Sequence, residues 1–204
     1  MLFPLTNQNI PLQQENITVY LPEPTAVYAC LQEQQNPYWA RLWPASIGLA
    51  SFLLQHPRWV KVPLVLELAA GIGLPSIVAA RFAQQVICSD IEPNAIPVMQ
   101  ANKQLHQCTN VTCTVADWLH LPSHWHPQTI LLSDVNYEPA AFAGLLLVLQ
   151  QQLAAGACIM LATPQRLMAK PFIEALLPFT IEQHEETVPL DGSMHFISIL
   201  VLKQ

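Results

Sequence analysis

The chain has 204 residues, of which 52% are hydrophobic and only 11% charged, with a formal net charge of −6. That length suits one domain able to bury about 70% of its unfolded surface. No apolar run reaches the roughly 18 residues needed to cross a bilayer, and eight Lys plus Arg without a basic run give no electrostatic footprint for nucleic acid.

Residues 1–8 carry no basic segment, long apolar stretch or small-residue cleavage site, so the cytoplasm is the expected compartment. Residues 17–21 read as a strand ended by Pro22 and Pro24, which predicts an N-terminal strand or hairpin. The aromatic segment Pro37-Tyr-Trp-Ala-Arg-Leu-Trp-Pro44 follows, and residues 45–55 then show apolar positions at helical spacing up to His56-Pro57. From Val62 onward short apolar runs alternate with helical stretches: residues 64–68, 86–88, 111–115, 130–132 and 157–161 are the predicted strands. Their unbroken hydrophobicity predicts a parallel sheet buried on both faces. Residues 179–188 and 195–202, joined by Leu190-Asp-Gly-Ser, predict an antiparallel pair at one edge of that sheet. Cys30, Cys88, Cys108, Cys113 and Cys158 are scattered among apolar neighbours and read as reduced thiols.

The first strand–helix junction is Val65-Leu-Glu-Leu-Ala-Ala-Gly-Ile-Gly-Leu-Pro-Ser76. Gly71 and Gly73 are two of only six glycines in the chain, which points to backbone angles or a close ligand approach that a Cβ would forbid. A dinucleotide fingerprint would need a third glycine where Ser76 stands. The negative charge of Glu67 beside the loop is awkward for a pyrophosphate and suits a sulfonium and α-amino group, which favours S-adenosylmethionine over a dinucleotide; a plain tight turn is the competing structural reading. Asp90 ends the second strand, 23 positions after Glu67, near the offset at which an acid reaches ribose hydroxyls in such folds. Asp117 and Trp118 follow the third strand and offer a carboxylate and an aromatic face for adenine. Any one of these acids could instead cap a helix, but three in series lie at the sheet edge where open α/β folds bind ligands. After the fourth strand comes Ser133-Asp-Val-Asn-Tyr-Glu-Pro139, with Asp134 and Tyr137 as catalytic candidates and Asn136 and Glu138 as substrate contacts. His120, His124 and His126 could converge on an ion, but their proline-bounded segment lacks a cysteine or acidic cluster and reads as a surface loop, so no metal is expected.

These motifs resemble those of the seven-strand S-adenosylmethionine-dependent methyltransferases, and within them methyltransferase family 16, which includes many protein-lysine methyltransferases. Residues 67–75 are similar to that family's acid, Gly, Ala, Gly, x, Gly, Leu, Pro loop, with Ala69 standing where the family usually has glycine. Asp134-Val-Asn-Tyr137 resembles its Asp-x-x-Tyr motif, and residues 37–44 resemble the aromatic segment of the branch acting on the electron-transfer flavoprotein β-subunit. The resemblance implies a Rossmann-like, doubly wound α/β fold: a seven-stranded sheet, mostly parallel, with an antiparallel C-terminal hairpin and a short N-terminal strand/helix extension. It makes the chain one methyltransferase domain, divided into an N-terminal extension (1–60), a cofactor-binding core (61–163) and a C-terminal helix with antiparallel strands (164–204). It implies S-adenosylmethionine as cofactor, held by Trp43, Glu67, Ala69, Gly71, Gly73, Asp90, Asp117 and Trp118. Asp134 and Tyr137 would orient the acceptor nitrogen, with Trp39, Asn136 and Glu138 contacting the substrate. A lysine side chain of a protein is the implied acceptor; a small-molecule amine or a catalytically silent binding module on the same fold are the alternatives. The oligomeric state has no sequence signal.

Overall fold

The computed structural model describes residues 3–32 and 37–204, the side chains of 30–32 excepted; the Cys30 thiol therefore lies outside the described residues. The chain opens with a hairpin of β1 (Leu5–Leu12) and β2 (Glu15–Pro22), which forms its own two-stranded sheet. A helix that the residue pattern did not announce follows, α1 (Pro24–Gln32). Pro24 opens it with φ already set, and the Glu23 carbonyl accepts from the Ala26 and Val27 amides. The aromatic segment makes one 3-10 turn, Tyr38–Ala40, before α2 (Pro44–Gln55).

The remaining elements are β3 (Leu64–Leu68), α3 (Leu74–Ala79), β4 (Gln85–Asp90), α4 (Ala95–Leu105), β5 (Val111–Val115), β6 (Thr129–Ser133), α5 (Phe142–Ala154), β7 (Cys158–Pro164), α6 (Lys170–Leu176), β8 (Thr180–Leu190) and β9 (Ser193–Leu202). They build a seven-stranded sheet in the order β5-β4-β3-β6-β7-β9-β8. The first five strands in this order run parallel, and β9 lies antiparallel to both β7 and β8. This is the predicted Rossmann-like arrangement. The turn at the hairpin tip has Asp191 at φ +51° and Gly192 at φ +74°, the pair of left-handed residues that a two-residue connection matching strand twist requires.

Strand alternation explains the layering. Val65, Leu131 and Met160 point into one core with α2, α3, α4 and the β1–β2 hairpin, whereas Leu66, Ile130, Leu132 and Ile159 point into a second core with α5 and α6. Both faces of the central strands are thus covered, as a parallel sheet demands. The expectation of two buried faces fails at β5: it is the edge strand, and Thr112 and Val115 are exposed. Its apolar run follows from one-sided packing on β4.

The N-terminal elements are tied to the sheet through α4. The buried Asn102 side chain accepts from the Tyr20 amide at 2.6 Å and donates to the carbonyls of Tyr20 and Ile72. One amide group therefore joins the β1–β2 hairpin to the loop after β3. Phe3 packs against Trp39 with the rings tilted at 56° and their centroids 5.5 Å apart, anchoring the aromatic segment over the same loop.

Candidate functional site

Right-handed crossovers put every loop after a parallel strand at one edge of the sheet, so residues distant in sequence meet there. A cavity of about 490 Å³ occupies this edge, a size suited to a small-molecule cofactor. Its wall is contributed by Ala69, Ala70, Gly71 and Ile72 after β3, by Asp90, Ile91 and Glu92 at the end of β4, and by Trp118 beyond β5. Ser133, Asp134, Val135 and Tyr137 after β6, and Arg166 after β7, complete the sheet side. The aromatic segment closes the cavity with Tyr38, Trp39, Arg41 and Trp43, joined by Ser46 of α2.

The β3 loop is shaped by its small residues. Gly71 has φ +55°, and a Cβ there would stand 3.0 Å from the Trp39 carbonyl oxygen. Ala69 adopts φ +51°, a left-handed conformation that glycine takes freely and alanine does not. Gly73 has a different duty. It is the N-cap of α3 at φ +80°, and a Cβ would meet the Cys88 sulfur at 2.9 Å; it lets α3 pack on β4 and does not line the cavity.

The acids at the strand ends divide into two kinds. Asp90 is buried at the cavity wall, with Oδ2 accepting from the Gly71 amide and Oδ1 from the Glu92 amide, each within 3.0 Å. Burial raises its pKa, and these amides hold it back. It locks the glycine loop to the end of β4 and keeps lone pairs for a further donor. Glu67, expected to bring negative charge to the cofactor, instead lies 1% exposed behind the loop, where Oε2 accepts from the Ser76 amide at 2.8 Å and the Ser76 hydroxyl at 2.5 Å. Burial pushes its pKa up to about 8, so it is largely uncharged at neutral pH. The acid near the end of β3 serves the first turn of α3, and Asp90, Glu92 and Asp134 are the acids that line the cavity.

Asp117 caps its own 3-10 turn, accepting from the Leu119 amide at 2.9 Å and pairing with His120 Nδ1 at 2.8 Å. These donors hold its carboxyl below the usual range. It lines a small recess beside Trp118, with Leu68, Ala69, Ile91 and Ala116, and is not on the wall of the main cavity. His124 packs edge-on against Trp125, and among the described residues no group of three His, Cys, Asp or Glu could hold a metal ion.

Asp134 and Tyr137 face the cavity together. The Asp134 backbone has φ +56°, and its amide donates to the Ala162 carbonyl across from β7. Its carboxylate is 6% exposed; Oδ2 accepts from Arg166 Nη2 at 2.8 Å, and Oδ1 is enclosed without a hydrogen-bond partner. Burial raises the Asp134 pKa, outweighing Arg166. Tyr137 packs edge-on against Tyr38 at 5.1 Å, and burial with the neighbouring carboxylates of Glu138 and Asp90 raises its pKa, keeping it a phenol. Trp43 completes the aromatic corner: its indole N–H donates to the Tyr38 carbonyl at 2.8 Å, and its ring meets Tyr38 edge-on at 6.0 Å.

Three expected substrate contacts sit differently. Trp39 lines the cavity but is only 7% exposed, its ring tilted against Phe3 and part of the core, and its carbonyl oxygen stands where a Cβ on Gly71 would meet it. Asn136 is wholly buried, accepting from the Thr163 hydroxyl at 2.8 Å, and lies off the cavity wall. Glu138 is exposed at the start of the 3-10 turn Pro139–Ala141, also off the wall. Conversely, Tyr38, Arg41 and Arg166 line the cavity without having been singled out. Tyr38 and Arg41 lie inside the aromatic segment; Arg166 has no motif to mark it.

Comparison with known proteins agrees with this geometry. Residues 26–178 match the model of a family described as lysine methyltransferase, methyltransferase family 16. The histone-arginine methyltransferase METTL23 of Homo sapiens is 33% identical over 113 residues, covering 52% of this chain and 58% of that protein. The electron transfer flavoprotein beta subunit lysine methyltransferase of Homo sapiens is 30% identical over 112 residues, covering 54% and 42% respectively. The chain spans about half the length of the curated relatives it matches. Among solved structures, the tRNA m1G37 methyltransferase of M. jannaschii superposes with a TM-score of 0.64 at 12% identity, covering 99% of this chain and 58% of that one. The N-methyltransferase NodS of Bradyrhizobium japonicum, in complex with S-adenosyl-l-homocysteine, gives 0.60 at 13% identity over 87% and 99%. These two likenesses concern the fold; the family match spans the aromatic segment, the β3 loop, Asp90, Asp134, Tyr137 and Arg166, and by it the chain belongs to the lysine methyltransferase family.

Proposed function

We propose that this chain is an S-adenosylmethionine-dependent methyltransferase that methylates a side-chain nitrogen of a protein, with lysine as the acceptor. The observation that carries the reading is the meeting, in one cavity, of the Gly71 loop and Asp90 with Asp134, Tyr137 and Trp43. The cavity fits the cofactor on its own terms: the β3 loop and the aromatic segment close together at its wall because Gly71 has no Cβ to meet the Trp39 backbone, and Asp90 offers a fixed acceptor for ribose hydroxyls. Trp118 and Ile91 would flank the adenine, and Trp43 would wall the methionine end. The family description and the names of both groups of relatives support a protein acceptor. A cytoplasmic site of action, an acceptor other than nucleic acid and a single methyltransferase domain over the whole chain belong to the same proposal and rest on the composition and motifs.

S-adenosylmethionine supplies an electrophilic methyl group on a sulfonium. The chain's share is positioning and exclusion of water, because in-line displacement gains most from a held near-attack geometry. Asp134 would accept an N–H of the acceptor and aim its lone pair. The aromatic corner of Tyr38, Trp43 and Tyr137 would desolvate the amine, which lowers its pKa and favours the neutral nucleophile.

The test combines calorimetry with transfer of label. The full chain should bind S-adenosylmethionine and pass tritiated methyl to protein in the soluble fraction of its host. Asp134→Asn should abolish transfer while leaving cofactor affinity within about twofold, since the carboxylate serves the acceptor. A chain that binds no cofactor overturns the reading, and label found only in small molecules moves the acceptor to that class.

A further inference from the structure

We propose that Arg166 is a positioning residue for methyl transfer: its guanidinium holds Oδ2 of Asp134 and so fixes the carboxylate at the cavity wall, where the acceptor nitrogen would meet it. This rests on the methyltransferase reading above and deepens it.

The pair is poorly explained as a stabilising ion pair. An arginine fork meets a carboxylate best through two parallel N–H···O bonds, whereas here a single Nη2–Oδ2 contact of 2.8 Å leaves Oδ1 enclosed with no partner. The Asp134 side chain is 5% exposed, and its backbone is held at φ +56°, a strained angle for a non-glycine residue. Oδ1 shares this condition with Ser133 Oγ and Asn136 Nδ2 of the same segment, so the single bond from Arg166 is what fixes the carboxylate of a strained residue at the cavity wall. Arg166 is the anchor that gives this carboxylate one orientation. It comes from the neighbouring strand end, 32 residues away, and is itself 28% exposed on the cavity side.

The charge of Arg166 also settles a conflict in the chemistry. A bare carboxylate would hold the amine as its ammonium form, which has no lone pair with which to attack. Arg166 offsets that field, so Asp134 can orient an N–H without trapping the proton, and the same guanidinium opposes the burial that pushes Asp134 toward protonation. In the step itself the nitrogen lone pair forms the N–C bond as the C–S bond breaks with its electron pair on sulfur, and the displaced proton leaves nitrogen for water. The other ionisable groups facing this corner are Tyr137 on the same loop, Tyr38 and Arg41 on the aromatic segment, and Asp90 and Glu92 at the end of β4.

The experiment measures initial rates of tritium transfer to the host's soluble protein fraction between pH 6 and 9, for the wild-type chain, Arg166→Ala and Arg166→Lys, with S-adenosylmethionine affinity and thermal midpoint followed in parallel. Arg166→Ala should lower the rate at pH 7.5 by about tenfold or more. Its acid limb should move to higher pH, because both Asp134 and the amine then hold their protons longer. Arg166→Lys, which restores the charge without the fork, should recover part of the rate and most of the pH profile. Cofactor affinity should stay within about twofold. A wild-type rate and profile in Arg166→Ala overturns the inference and leaves the methyltransferase reading standing. A uniform loss at every pH that lysine does not repair reduces Arg166 to a structural role and also overturns it. Failure of the wild-type chain to transfer any label removes both.

Discussion

Replacing Glu67 by glutamine tests whether the acid at the end of β3 carries a charge. The wild-type carboxyl is 1% exposed, has a folded-state pKa of about 8, and accepts two hydrogen bonds from Ser76. An unfolded glutamate titrates near 4.5, so between these values the folded protein holds a proton that the unfolded chain has lost. The stability contributed by the neutral carboxyl is therefore full below pH 4.5 and is lost as the pH rises toward 8. Integrated to pH 7 the loss is about 3 kcal/mol. In Glu67→Gln nothing titrates at this site, and the side-chain carbonyl can still accept from the Ser76 amide and hydroxyl. Urea unfolding at intervals from pH 5 to pH 8.5 should show the wild-type midpoint falling relative to the variant's, with the variant the more stable protein at the alkaline end. The difference between the two curves isolates Glu67 from Asp90 and Asp134, whose carboxyls are also shifted up by burial. Parallel curves across this range would refute the assignment of a neutral Glu67 and restore it as a source of negative charge beside the β3 loop.

Ala69→Gly should raise stability by about 1 kcal/mol, read as a higher thermal midpoint, because it removes a Cβ from a residue at φ +51°. An unchanged midpoint would mean that the left-handed angle costs nothing here. Gly71→Val places a branched side chain against the Trp39 carbonyl at φ +55° and should weaken S-adenosylhomocysteine binding by more than about tenfold in a calorimetric titration. Asp90→Ala frees the Gly71 and Glu92 amides and should weaken the same binding; full affinity in both variants would place the cofactor elsewhere. Tyr137→Phe keeps the ring contact with Tyr38 at the cavity mouth and removes only the hydroxyl, so retained cofactor affinity with a lowered transfer rate is expected. An unaltered rate would confine Tyr137 to packing.

Much of the site was legible because its motifs are local. The angle of Gly71, the end of β4 at Asp90 and the loop carrying Asp134 and Tyr137 each follow from a few adjacent residues, whereas the left-handed angle of Ala69 has no signal in an alanine. The roles that moved were those decided by the partner each side chain meets, near or far along the chain. Ser76 takes the Glu67 carboxylate, Thr163 takes Asn136, and Phe3 draws the Trp39 ring into the core. Asp117 is a different case: its carboxylate caps its own turn, the role that a lone acid after a strand equally allows.

The alternation of short apolar runs with helical stretches determined, from sequence alone, a parallel sheet with a terminal antiparallel hairpin, because strand and helix periods are written residue by residue. It also determined which loops reach the carboxyl edge. Only the tertiary structure decided which side chains at that edge face the cavity and which are spent on holding it together. Arg166 is the clearest instance: it sits in an unmarked stretch after β7, and the crossover from β6 brings Asp134 within 2.8 Å of it. Pairing across neighbouring strands depends on register and packing summed over the whole sheet, which no short stretch of sequence contains.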